Sequence, residues 1–157
     1  MWITKKGYNT LLQKRVLLDG KRKELLAQLG EEAEKDFDLP ENAVWKQLQV
    51  ELRFNLPYQM AELQKLISES QIIEDVSYKL NGDKKVCLGS KARIKLDDKE
   101  RIVVLVGPYD LNVIENGVSY LSPLGKAMLG AENGEEITFE TPKGERQITI
   151  LSVEREL

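Results

Sequence analysis

Asp38 and Glu41 lie three residues apart in the segment EEAEKDFDLPENAVW, residues 31–45, which also carries Glu31, Glu32, Glu34 and Asp36 against Lys35. Carboxylates at this spacing can share one Mg2+ with water molecules but cannot enclose it. Mg2+ prefers six oxygens and commonly takes only one or two carboxylates from a protein. A second molecule would have to complete such a site. The same spacing also fits a capping box, in which Asp38 accepts the backbone N–H of Glu41 and Glu41 reaches back to Asp38. Spacing alone leaves both readings open.

Lys14, Arg15, Lys21 and Arg22 repeat at a spacing of seven and form a stripe on one side of a helix. Such a stripe is a solvated face or a patch that meets a nucleic-acid backbone. The net charge of −3 argues against gripping nucleic acid by bulk charge. With no His and with Cys87 alone, a Cys/His zinc site, an internal disulfide and a Ser–His or Cys–His nucleophile are all excluded. No apolar run approaches the roughly 20 residues of a membrane span. The opening MWITKKGYNTLL lacks the apolar core of a secretory signal. A cytoplasmic monomer with no membrane partner is expected.

The elements that must position these residues fall into two halves. Residues 4 to about 76 read as helix and residues 86 to 157 mostly as strand, with a boundary near the turn formers Asn81, Gly82 and Asp83. Thr4 can cap a helix starting at Lys5. Leu11, Leu18 and Leu25 then recur every seven residues, while Tyr8, Arg15, Arg22 and Leu29 occupy the companion positions. In the second run Trp45, Leu48, Leu52, Leu56, Met60, Leu63 and Ile67 step by threes and fours. Two such runs around a short turn make an antiparallel hairpin on the order of 45 Å long. The fold class is therefore α+β, with a hairpin over 1–78, its acidic tip near 36–43, and a sheet domain over 79–157. In the second half, Asp97 and Asp98 turn one strand pair and Pro142 to Gly144 another. Ser122 as N-cap, Pro123 in the first turn and Gly130 as stop mark one short helix.

Together these pieces resemble the Gre transcript-cleavage factors of bacteria, GreA and GreB, over nearly the whole chain. VSYLSPLGKAMLG followed by GEEITFETPKGERQITILSVE is similar to the family's S-P-L-G segment and closing strands, and DLPENA is similar to its tip motif. SQIIED and TKKGYNTL add weaker likeness. The resemblance implies an N-terminal antiparallel coiled coil and a C-terminal FKBP-like antiparallel β domain with one short helix. It implies docking on RNA polymerase through Ser122, Pro123 and Leu124, which fall on the loop that meets the polymerase's rim helices. It also implies insertion of the hairpin into the secondary channel, toward the 3′ end of the nascent RNA. There Asp38 and Glu41 would help hold a catalytic Mg2+, bound only in complex with the polymerase, which then hydrolyses backtracked RNA.

The chain departs from the family pattern at Phe37, Pro40, Val44 and Trp45, and its second helix is one residue longer, with Pro57 inside the longer interval. A bend or bulge within about one turn of Pro57 is expected. A Gre-like paralogue that occupies the same channel without cleavage is the alternative reading. A prolyl isomerase or chaperone is a further one, although the Tyr and Phe residues are scattered rather than clustered.

Overall fold

The computed structural model describes residues 1–35, 42–73 and 85–155. The chain divides into two compact units, Asn9–Glu69 and Met1–Tyr8 with Ser70–Leu157.

The first unit is helical. Helix α1 spans Lys5–Lys35, α2 spans Ala43–Val50, a π-helical turn covers Glu51–Asn55, and α3 covers Leu56–Ser68. Along α1 in this unit, Leu11 is buried and Leu18, Leu25 and Leu29 are half-buried between exposed neighbours. On the second run Leu48, Leu56, Leu63 and Ile67 are buried, and Trp45, Leu52 and Met60 are half-buried. Side-chain hydrogen bonds tie the two runs together. Lys21 Nζ donates to Glu51 Oε1 at 2.6 Å, and Asn42 Nδ2 donates to Glu32 Oε2 at 3.3 Å. The partners' numbers run in opposite directions, so the pair is antiparallel.

The expected defect at Pro57 is present and takes a definite form. The Leu56 N–H bonds back to the Glu51 carbonyl, five residues earlier, which is the π pattern. Pro57 follows in the first turn of α3. In a regular helix its ring would press on the carbonyl four residues before it, and its missing N–H would orphan an acceptor. The widened turn absorbs one extra residue and opens that space. The seam therefore continues through Leu52, Leu56 and Met60 at steps of four.

The second unit is built on a five-stranded sheet in the order β5-β4-β3-β7-β6. Its strands are β3 (Ser90–Leu96), β4 (Lys99–Val106), β5 (Gly117–Ser119), β6 (Glu136–Thr141) and β7 (Gly144–Arg155). Four of them pair antiparallel, as expected; the short edge strand β5 runs parallel to β4, which makes the sheet mixed. Asp97 and Asp98 turn β3 into β4 with φ of 50° and 62°, the left-handed pair that a tight hairpin requires. Short helix α4 (Pro123–Met128) supplies Met128 to a core of Val86, Ala92, Ile94, Val103, Leu105, Ala131, Ile148 and Ile150.

The expectation of helix from residue 4 to about 76 needs correction at its far end. α3 stops at Ser68, and Gln71–Ile72 form strand β2, parallel to β1 at Trp2–Ile3. The Gln71 N–H donates to the Met1 carbonyl at 2.7 Å. Burial drives the change: Ile3 and Ile73 are both fully buried, along with Val106.

Candidate functional site

The start of α1 shows how this chain makes a helix end. Thr4 Oγ1 accepts the Gly7 N–H at 3.0 Å and donates to Asp110 Oδ1 at 2.6 Å. Asp110 is fully buried, and its other oxygen accepts the Thr4 N–H at 3.0 Å and the Gly107 N–H at 3.1 Å. The predicted cap at Thr4 is thus present, with a buried carboxylate behind it that local sequence reasoning missed. Asp110 lies far from Thr4 in the chain, so no periodicity or spacing could have found it.

Asp38 and Glu41 lie outside the described residues. The structure takes up again at Asn42. Helix α2 begins at Ala43 with Asn42 as its N-cap, whose side-chain oxygen accepts the Trp45 N–H at 2.9 Å. Asn42 has an extended backbone, φ −69° and ψ 110°. The N-cap of α2 is therefore Asn42, and the capping-box reading of Asp38 and Glu41 falls outside the described residues. Glu32 and Lys35 close α1 on the other side: Lys35 Nζ donates to Glu32 Oε1 at 3.3 Å, while the other Glu32 oxygen holds Asn42. Among the described residues no three His, Cys, Asp or Glu side chains converge as a metal site.

The basic stripe is exposed at all four positions, Lys14, Arg15, Lys21 and Arg22. Lys21 is not available as a lone cation, because it is ion-paired with Glu51. The Lys21 ammonium, with the Asn55 amide at 2.8 Å, holds the Glu51 carboxyl below the usual carboxylate range.

The S-P-L segment divides by role. Ser122 Oγ accepts the Gly125 N–H at 3.0 Å and donates to the Ser119 carbonyl at 2.7 Å, so its hydroxyl is occupied in capping α4. Leu124 packs against the core. Pro123 is exposed. Beside it Leu121 is 52 % exposed, a residue the sequence reading passed over. Pro123 and Leu121 line an open groove of about 450 Å³ together with Lys126, Ile137, Phe139 and Glu140. Phe139 is the aromatic side chain in the described lining. No helix among the described residues is long and apolar enough to cross a membrane.

Comparison with known proteins gives a consistent set of relatives. The sequence pattern "Transcription elongation factor, GreA/GreB, C-term" matches residues 81–155. Transcription elongation factor GreA of Syntrophobacter fumaroxidans is 31% identical over 153 residues, covering 96% of each chain. GreA of Novosphingobium aromaticivorans is 33% identical over 150 residues, covering 94% of this chain and 91% of its own. The solved structure of the transcription factor Gfh1 aligns over 98% of this chain and 96% of its own at 26% identity, with a TM-score of 0.42.

Proposed function

Because the chain belongs to the GreA/GreB family of transcription elongation factors, we propose that it binds RNA polymerase, enters the secondary channel with its helical hairpin and stimulates cleavage of backtracked nascent RNA. Factors of this family stimulate the polymerase's intrinsic cleavage activity and do not catalyse it themselves. The observation that carries the reading is the cap of α2. Asn42 takes that helix end itself, its side-chain oxygen accepting the Trp45 N–H, so the N-cap of α2 is a residue other than the two carboxylates of the motif.

Carboxylate oxygens suit Mg2+, and two of them leave most of its six positions to other ligands. In this reading the polymerase active centre supplies the rest, and the ion, once shared, polarises the water that attacks the phosphodiester. Asp38 and Glu41 bring negative charge to the cation. Glu32 and Asn42 clasp the two helix ends that flank them, and Pro123 with Leu121 supplies the exposed apolar contact for docking.

The test is RNA shortening on a stalled, backtracked elongation complex with wild type, Asp38→Asn and Glu41→Gln. Each amide keeps the size of the side chain and removes the charge. Cleavage should fall at least about 100-fold in either variant while polymerase affinity stays within about twofold of wild type. Cleavage at the wild-type rate in both variants would refute the metal role. Polymerase binding by the wild type with no shortening at all would instead make the chain a non-cleaving regulator of the same channel.

A further inference from the structure

The second helical run carries an apolar line besides its covered seam. Val50, Phe54 and Tyr58 are 50%, 65% and 71% exposed. The seam residues Leu48, Leu52, Leu56 and Met60 lie two positions out of phase and are buried or half-buried. Two positions in a helix are roughly 200°, so the exposed line runs on the side away from the seam. In a plain α-helix a step of four drifts by about 40° each time. The π turn at Glu51–Asn55 is wider than an α turn and offsets part of that drift, which favours one shared face for the three exposed side chains.

Single exposed apolar residues need no explanation, but two aromatic rings and a valine in line mark a contact surface. Mid-helix π turns also concentrate at functional sites. The size of the line decides what can cover it. Fully covered, three such side chains bring on the order of 400 Å². A stable pair of chains takes roughly 800 Å² from each partner. A second copy is therefore not held by this line, which suits a partner already held elsewhere. Charge narrows the partner further. Between Val44 and Met60 the charged residues are Lys46, Glu51 and Arg53. Glu51 is paired with Lys21, while Lys46 and Arg53 are exposed. The rim of the line is thus cationic.

We infer that Val50, Phe54 and Tyr58, presented by the π turn, form an auxiliary contact with RNA polymerase, against an apolar surface bordered by carboxylates. The inference rests on the proposed function, which supplies the primary contact.

The experiment compares wild type with Phe54→Gln/Tyr58→Gln in the full chain, by Kd for RNA polymerase and by sedimentation. Glutamine keeps helix propensity, so the melting temperature should not move. The double variant should bind at least about tenfold more weakly, and both proteins should sediment as monomers. A wild-type Kd in the double variant would overturn the inference and leave the proposed function standing. Wild type with no affinity for the polymerase would overturn both. A wild-type dimer that the double variant dissociates would assign the line to a second copy and overturn it too.

Discussion

One substitution, Gly→Ala in α1, should act with opposite signs at two positions. At Gly20 an added Cβ meets nothing within 4 Å. Alanine there should stabilise by about 0.5–1 kcal/mol, the usual gain in a helix interior. At Gly7 the same Cβ would overlap Asp110 Oδ1 and come within 3.0 Å of Ile3 Cγ1. The carboxylate cannot simply step aside. It is fully buried and accepts from Thr4 Oγ1, Thr4 N and Gly107 N. Swinging it away loses charge-assisted bonds worth about 1.5–3 kcal/mol each and leaves buried donors unmet. Losing one or two of them, less the propensity gain, makes Gly7→Ala a net cost of roughly 2–4 kcal/mol. For a chain of this size that is a fall in Tm of roughly 5–15 °C, against a rise of about 1–4 °C for Gly20→Ala. Thermal melting of both variants reads the signs. A double-mutant cycle reads the cause: in an Asp110→Ala background, itself destabilised, the further change Gly7→Ala should cost little or become favourable. Stabilisation by Gly7→Ala alone, or an unchanged cost in the Asp110→Ala background, would refute the reasoning.

Ser122 and Pro123 should separate by assay. Ser122→Ala removes a cap and should cost about 1 kcal/mol in denaturant melting, whereas Pro123→Glu, at an exposed position, should leave stability within about 0.5 kcal/mol and weaken polymerase binding; equal effects on both readouts would remove the division of roles. Glu51 should leave a mark on the acid limb of stability. Its carboxyl lies low in the folded chain, chiefly through the Lys21 ammonium, so its contribution is present above the ordinary Glu range and is lost as pH falls through the depressed value, from about pH 5 downward. Glu51→Gln should flatten the pH dependence of Tm in that window, and more so at low salt. An identical slope in wild type and variant would deny the pair any role.

Much of this architecture was legible in the chain because its signals are local. The seams at Leu11, Leu18 and Leu25 and at Leu48 to Ile67 follow from period alone. Thr4 and Ser122 announce helix starts through the short reach of a hydroxyl to a backbone N–H three residues on. The extra residue near Pro57 foretold a defect, since a proline that the seam passes through unbroken must be absorbed by a wider turn. The candidate tip pair was legible too, as residue types at a spacing and as a family motif. What spacing could not settle was which residue caps α2. Asn42 takes that place, with its side-chain oxygen on the Trp45 N–H and its amide on Glu32 at the end of α1.

The remainder was decided by tertiary structure, because it depends on groups distant in sequence meeting in space. Nothing in Trp2–Ile3 or Gln71–Ile72 reads as a strand; two-residue strands exist only because each supplies the other's hydrogen bonds while Ile3 and Ile73 are buried. Asp110 sits in an ordinary loop until the fold brings it to Thr4, Gly7 and Gly107 and excludes water. Likewise Lys21 reads as one cation of a stripe until Glu51 reaches it across the hairpin. Val50, Phe54 and Tyr58 read as further apolar residues of a helix. The folded chain leaves all three exposed around a wide turn whose phase no periodic pattern contains.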